Sequence, residues 1–251
     1  MVHFVGAGSG AADLITLRGA KLLETADVVI YAGSLVNPEL LTYTRADCAL
    51  YDSARMTLEQ VVEVIRAAEQ EGKTTVRLHT GDPSIYGAVR EQFDALQALG
   101  IDYDICPGVS SFCGAAASLR AEYTLPDVSQ TVIITRGAGR TPVPEGQSIQ
   151  ELAAHGATMV LFLSTGLACS VQGELLAGGY GADTPAAVVY KATWPDERIF
   201  RCTVGTISRT VMENHLTKTA LIIVGRCLGD KYLRSLLYDP GFSTGYREAS
   251  K

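Results

Sequence analysis

Apolar residues in the first half of the chain follow two alternating patterns. Short blocks bounded by glycine, proline or charge read as strands at Val2–Val5, Asp27–Ala32, Ala49–Tyr51, Thr74–His79 and Tyr103–Cys106. Between them, Thr16–Thr25, Thr57–Gln70 and Ile85–Leu99 carry apolar positions at the spacing of a helix with one buried face. The second of these opens Thr57-Leu58-Glu59-Gln60, a capping box, and places Val61, Ile65 and Ala68 on one face. It stops at Glu71-Gly72, where glycine takes the left-handed cap. Strands alternating with helices imply an α/β fold with a mostly parallel sheet covered on both sides.

The second half reads differently. Ser110–Ser118 is small and alanine-rich, and Leu119–Gln130 mixes charge with Pro126. Thr131–Thr135 reads as a strand and Gly137–Gly146 as a Gly/Pro loop. Then come strand Ala157–Leu163, helix Leu167–Gly178, strands Ala186–Val189 and Glu197–Thr203, helix Val204–Glu213 and strand Thr219–Val224. The pair joined by the Trp-Pro turn reads as antiparallel, so this half forms a mixed sheet. The boundary is expected near residue 120, with an N-terminal α/β domain over 1–120 and a C-terminal mixed-sheet α/β domain over 121–251. The tail after Tyr238 reads as loosely held.

Bulk properties narrow the function classes. No apolar run approaches the roughly 20 residues of a membrane helix, and the N-terminus reads as a strand at once, without a basic leader. A cytoplasmic protein without a membrane partner is the expectation. The net charge of −6 argues against a sequence-tolerant nucleic-acid binder. The six cysteines include no C-x-x-C pair and read as buried reduced thiols, and the four histidines lack zinc spacing, so no metal is expected. His79, at the end of a buried strand, reads as a satisfied core histidine ahead of a ligand-wall residue, and Trp194 as either a packing anchor or a ligand wall.

Three loops carry candidate chemistry. Gly6-Ala7-Gly8-Ser9-Gly10-Ala11 follows the first strand and formally fits a dinucleotide fingerprint. Against that reading, the next helix starts only near Thr16, and the second strand ends Ile30-Tyr31-Ala32-Gly33-Ser34 without an acid for a ribose hydroxyl. A steric turn, a ligand loop and a nicotinamide site all remain open. Gly81-Asp82-Pro83-Ser84-Ile85-Tyr86-Gly87 follows the fourth strand, with Asp82 either a ligand-loop residue or the cap of the next helix. Pro107-Gly108-Val109-Ser110-Ser111 follows the fifth, again a rigid turn, a glycine and hydroxyls at a helix start. Ligands of open α/β sheets bind at the carboxyl ends of strands, where all three loops lie.

In this order the loops resemble the tetrapyrrole (uroporphyrinogen-type) methyltransferase family, through Gly6–Gly10, Asp27–Val36, Thr80–Gly87, Pro107–Ser111, Val160–Ser164, Ala187–Thr193 and Leu221–Gly225. The segments Tyr31–Val36, His79–Pro83, Thr135–Glu145 and Val189–Glu197 are similar to the branch that methylates carbon 11 of precorrin-4. The resemblance implies a five-strand parallel domain, a mixed second domain, and S-adenosylmethionine in the cleft between them. It implies a tetrapyrrole substrate and a homodimer. For the cofactor it points to Ser9, Thr80, Gly81, Asp82, Ile85, Ser110, Ser111, Leu163, Ala192 and Ala220, with Asp82 as a positioner. Several relatives carry an acid just after the second strand where this chain has none, so no catalytic base is assigned.

Methyl transfer from a sulfonium is an in-line displacement that needs alignment and exclusion of water rather than a strong base. A polycarboxylate substrate needs arginines, whose forked donors match carboxylates. Arg136 and Arg140, flanking glycines, come first, followed by Arg18, Arg120 and Lys191. The competing readings are a methyltransferase of the same fold with another substrate, a nicotinamide-dependent oxidoreductase, and a non-catalytic ligand-binding protein.

Overall fold

The computed structural model describes residues 1–250, the side chain of Ser34 excepted. The chain divides into two compact units, one of Met1–Ala115 with Lys191–Glu197, the other of Ala116–Tyr190 with Arg198 onward.

The first unit is built on β1 (Val2–Gly6), β2 (Val28–Tyr31), β3 (Ala49–Asp52), β4 (Thr75–His79) and β5 (Tyr103–Cys106). They form one sheet in the order β3-β2-β4-β1-β5. Every neighbouring pair is parallel. Strand alternation sends Val5, Val29, Val76, Leu78 and Cys106 to one face, where they pack with Leu23 of α1 (Leu17–Thr25). Val2, Phe4, Val28 and Ile30 face the other way, against Val61 and Ile65 of α2 (Leu58–Gln70) and Leu96 of α3 (Arg90–Ala98). Burial on both faces explains why these strands are apolar blocks rather than alternating ones. Thr16 caps α1, its side chain accepting from Gly19 N, and Thr57 with Gln60 closes the capping box of α2.

Most element boundaries shift slightly from the sequence expectation, and that of α3 shifts furthest. α3 begins at Arg90, not at Ile85. Tyr86 (φ 53°) and Ala88 (φ 47°) are left-handed, and the chain folds so tightly that a Cβ on Gly87 would lie 2.1 Å from the Pro83 carbonyl oxygen. Ile85 and Val89 keep a helical spacing within a segment that is not a helix. Asp82 therefore caps no helix.

The second unit holds β6 (Val132–Arg136), β7 (Thr158–Phe162), β8 (Pro185–Tyr190), β9 (Arg198–Thr203) and β10 (Ala220–Val224), in the order β6-β7-β10-β8-β9. β6 and β7 are parallel and the other pairs antiparallel, which makes the sheet mixed. Ile149 of α5 (Ile149–Ala153), Val171 and Leu175 of α6 (Ala168–Ala177), and Ile207 and Val211 of α7 (Ile207–Glu213) cluster with Met159, Leu161, Val188 and Ile222 of the sheet. α5 was not expected. Five residues are too short to display a period, although Ser148 and Glu151 form the capping box that marks its start. α4 (Ser111–Leu119) follows β5. No helix among the described residues is long and apolar enough to cross a membrane.

Two interior expectations need correction. All six cysteines are free, but only Cys106 and Cys227 are buried, while Cys113 and Cys169 are exposed because they lie on outward helix positions. His79 is buried but not satisfied, since its Nε2 has no hydrogen-bond partner. Its ring stacks on Phe4 at 5.9 Å. Burial, helped by the nearby charge of Arg77, pushes its pKa down from 6.5 to about 3. Arg77, two residues back on the same face, is also buried. Its Nε donates to Gln92 Oε1 (3.0 Å) and its Nη1 to Ile30 O (3.1 Å). Burial lowers its pKa to about 10, which leaves it charged at neutral pH.

At the carboxyl rim of the first sheet the loops after β1, β4 and β5 touch backbone to backbone. Gly8 and Gly81 form an antiparallel bridge, with Gly81 N donating to Gly8 O at 2.9 Å. A Cβ on Gly6 would lie 2.5 Å from Gly108 Cα, and one on Gly108 would lie 2.2 Å from Gly81 O. No side chain fits in that gap.

Two stability outcomes follow from this packing. Gly108→Ala lowers the free energy of urea unfolding by about 3 kcal/mol, the upper range for overpacking against atoms that cannot yield. Gly72→Ala, at φ +68° but in open space, costs only the left-handed penalty of about 1 kcal/mol. His79 adds a pH dependence. Between pH 6.5 and about 3 the unfolded chain binds a proton that the folded one refuses, so stability falls as pH drops through that window, by about 1.4 kcal/mol per pH unit. Replacing His79 by Leu gives a flatter acid limb in urea titrations across that range.

Candidate active site

The carboxyl rim of the first sheet gathers most of the sequence-predicted residues. Asp82 ties two of its loops. Its Oδ2 accepts from Gly108 N (2.8 Å), and its Oδ1 accepts from Ser84 N (2.9 Å) and from the Ser84 hydroxyl. Burial raises the Asp82 pKa, but the bonds from Ser84 and Gly108 outweigh it and hold the carboxyl below its ordinary value. Asp82 is thus a fixed anion whose two oxygens lock the β4 and β5 loops together. Gly81 lies against Ser110 and Ser111, which stand at the start of α4. A Cβ on Gly81 would come within 3.6 Å of Ser110 Cα and Ser111 N. Thr80 is exposed, and Ser110 and Gly81 are buried.

The loop after β1 is held on its other side. Ser9, 7% exposed, shares a hydrogen bond with Thr193 (Oγ to Oγ1, 3.0 Å), and Ala11 N donates to the same Thr193 Oγ1 at 3.1 Å. Asn37 Nδ2 donates to Gly10 O at 2.9 Å. Ala192 is buried beside these residues. A Cβ on Gly10 would lie 2.2 Å from Trp194 Cδ1 and 2.6 Å from Ala192 O. Trp194 therefore packs on the glycine as an anchor. A short 3-10 turn at Ala12–Leu14 separates this loop from α1. The helix N-terminus consequently stands off from Gly6–Gly10, unlike that of a dinucleotide site.

This rim offers main-chain groups in a cradle floored by glycines, with small hydroxyl side chains and one fixed carboxylate. Such a surface suits a compact polar ligand approaching the backbone closely. Among the described residues no group of three or more His, Cys, Asp or Glu could hold a metal.

The remaining candidates are more scattered. Ile85 is half-buried in the β4 loop, and Arg18 is exposed on α1. Lys191 pairs with Asp196 (Nζ to Oδ2, 2.6 Å) and lies 5.1 Å from the Trp194 ring centroid. In the second unit Arg136, Leu163 and Ala220 share one end of the sheet, at the close of β6, just past β7 and at the start of β10. Leu163 is 69% exposed with φ 52°, an apolar side chain held outward by a strained backbone. The Ala220 carbonyl accepts from Thr165 Oγ1 at 3.0 Å. Arg136 folds back on its own loop, Nη1 donating to Gly137 O (3.2 Å) and Thr141 O (3.1 Å), and Nη2 to Pro142 O (2.7 Å). Its donors serve carbonyls that no strand covers. Arg120 and Arg140 are exposed, and Arg140 has no ion pair or hydrogen bond among the described residues. Sequence reasoning missed Asn37, Thr193 and Glu197 as residues that shape the site. Asn37-Pro38 signals a helix cap, which it is, but nothing local reveals contacts to Gly10 or Ser9.

Sequence and fold are similar to those of known proteins. A sequence profile described as tetrapyrrole (corrin/porphyrin) methylases matches residues 1–208. The cobalt-precorrin-4 C(11)-methyltransferase of Methanocaldococcus jannaschii is 53% identical over 251 residues, covering 100% of this chain and 97% of that protein. A solved cobalt-precorrin-4 methyltransferase superposes with a TM-score of 0.89 at 46% identity, over 91% of this chain and 96% of the other. The uroporphyrin-III C-methyltransferase of Thermus thermophilus, solved with S-adenosylhomocysteine, gives a TM-score of 0.75 at 25% identity, over 91% and 93%. With a profile match over most of its length and a relative at this identity end to end, the chain belongs to the tetrapyrrole (corrin/porphyrin) methylases.

Proposed function

We propose that the protein transfers a methyl group from S-adenosylmethionine to carbon 11 of precorrin-4, or of its cobalt-bearing form, in cobalamin biosynthesis. The observation that carries this reading is end-to-end likeness to a cobalt-precorrin-4 C(11)-methyltransferase at 53% identity. The glycine-floored rim supplies the physical support. A nicotinamide reading rests on the glycine loop alone, and the distance from that loop to α1 speaks against it. A cytoplasmic location and a homodimeric state are part of the proposal and come with the family.

The bound cofactor would supply a methyl group on a positively charged sulfur. The chain's task is then to hold and align. Thr80, Gly81, Asp82 and Ile85 of the β4 loop, Ser110 and Ser111 of the β5 loop, and Ser9 and Ala192 offer main-chain and hydroxyl contacts. Leu163 and Ala220 are the second unit's candidates. Asp82 acts as a positioner, because its carboxylate is already committed to Gly108 and Ser84 and has no proton to exchange at neutral pH. With no general base assigned, the rate derives from proximity and exclusion of water. The substrate's carboxylates are matched by Arg140, with Arg18, Arg120, Lys191 and Arg136 as further candidates.

Incubation with S-adenosylmethionine and precorrin-4, metal-free and cobalt-loaded in parallel, gives a product heavier by one methyl group. Titration calorimetry detects S-adenosylhomocysteine and not NAD. Product mass unchanged with both substrates would overturn the proposal. Arg140→Ala raises the KM for the tetrapyrrole about tenfold, the loss of one charge-assisted pair, and leaves the Kd for S-adenosylhomocysteine unchanged. Arg136→Ala also lowers the thermal midpoint, because its loop loses three hydrogen bonds.

A further inference from the structure

The Gly8–Ala11 loop is gripped at three successive residues by groups that belong to no strand. Thr193 Oγ1 meets Ser9 Oγ and Ala11 N, and Asn37 Nδ2 holds Gly10 O. The Trp194 indole fills the space where Gly10 would carry a Cβ. Gly10 itself has φ 157°, and only its missing Cβ lets the chain pass there.

The turn that provides these contacts is strained. Thr193 has φ 67° and Lys191 φ 48°. A β-branched residue in the left-handed region is an outlier that persists only when its surroundings over-determine it. Here Thr193 N donates to Glu197 Oε2 (2.6 Å), Trp194 N to Lys191 O (3.0 Å) and Glu197 N to Trp194 O (3.0 Å), while Lys191 pairs with Asp196. A turn that only joined two strands would need none of this, and a glycine or asparagine would serve at position 193 without strain.

We propose that Thr193 is a positioning residue. Its hydroxyl, presented by a strained 191–197 turn, sets the conformation of the Gly8–Ala11 loop that cofactor binding requires, with the Trp194 indole as the backing wall. This rests on the assignment of S-adenosylmethionine as cofactor.

The test compares Thr193→Ser, Thr193→Val and Thr193→Gly. Calorimetric Kd for S-adenosylhomocysteine stays within about threefold of wild type for the serine variant, which keeps the hydroxyl. It rises about tenfold for valine and glycine, which lose its hydrogen bonds. KM for S-adenosylmethionine rises in parallel, while kcat at saturation stays within about threefold. The glycine variant, freed of side-chain crowding at positive φ, keeps a wild-type thermal midpoint, which separates positioning from general destabilisation. Emission from Trp194, the only tryptophan in the chain, shifts for valine and glycine but not for serine. Wild-type affinity in the valine and glycine variants overturns the proposal, as does a serine variant as weak as valine or a loss of affinity that tracks the thermal midpoint. If the wild-type protein itself binds no S-adenosylhomocysteine, the cofactor assignment fails first and this role falls with it.

Discussion

Two glycines that leave no room for a side chain, with a third held at positive φ, hold the rim of the first sheet together. Gly6, Gly81 and Gly108 end or follow three adjacent strands, β1, β4 and β5; the backbones at Gly6 and Gly108 approach within distances that any Cβ would violate, and Gly81 holds φ +61°. Parallel strands place their carboxyl ends on one side, so the loops that leave them must crowd one another there. Absence of side chains turns that crowding into a floor of peptide groups. Asp82 then clamps two of the loops through Gly108 N and Ser84, a bond set that keeps its carboxylate ionised and immobile. What the site presents to a ligand is therefore mainly backbone, and its precision comes from packing.

That arrangement suits a reaction needing little from acid–base groups. A methyl on a sulfonium is already activated, and its transfer needs alignment more than proton transfer. The polar interior of the first unit accordingly serves structure. Arg77 spends its donors on Ile30 O and Gln92, and Gln92 passes the connection on to the Ala88 carbonyl. This chain of bonds runs from β2 through β4 to the left-handed residues of the β4 loop. His79, neutral and without a partner for Nε2, lines the same face. A buried cation and an unpartnered imidazole beneath a strained loop cost stability.

The second unit uses different means. Its sheet is mixed, with helices drawn onto it by one continuous apolar cluster. At one end of the sheet Arg136 gathers three carbonyls of the Gly137–Pro142 segment, giving shape to a loop that has no strand neighbour. Leu163 is pushed outward at a left-handed backbone position close to it in the fold.

Strand blocks, the helix cap at Thr57, the parallel and mixed character of the two sheets and the family itself were all legible in the amino-acid order, because each depends on residues within a few positions of one another or on long contiguous motifs. The start of α3 was not, since Ile85 and Val89 keep helical spacing while Tyr86 and Ala88 adopt backbone angles that only the surrounding fold imposes. Nor was α5, whose capping box sits in five residues too few to show a period. His79 looked like an ordinary core histidine because hydrogen-bond satisfaction depends on groups from other strands. Tertiary structure alone decided which groups meet across many residues of chain: Thr193 with Ser9, Asn37 with Gly10, Asp82 with Gly108. Local patterning records the energy of a segment with itself and with a generic interior. Contacts distant in sequence are selected by the one packing that satisfies all segments together, and no single segment carries their record.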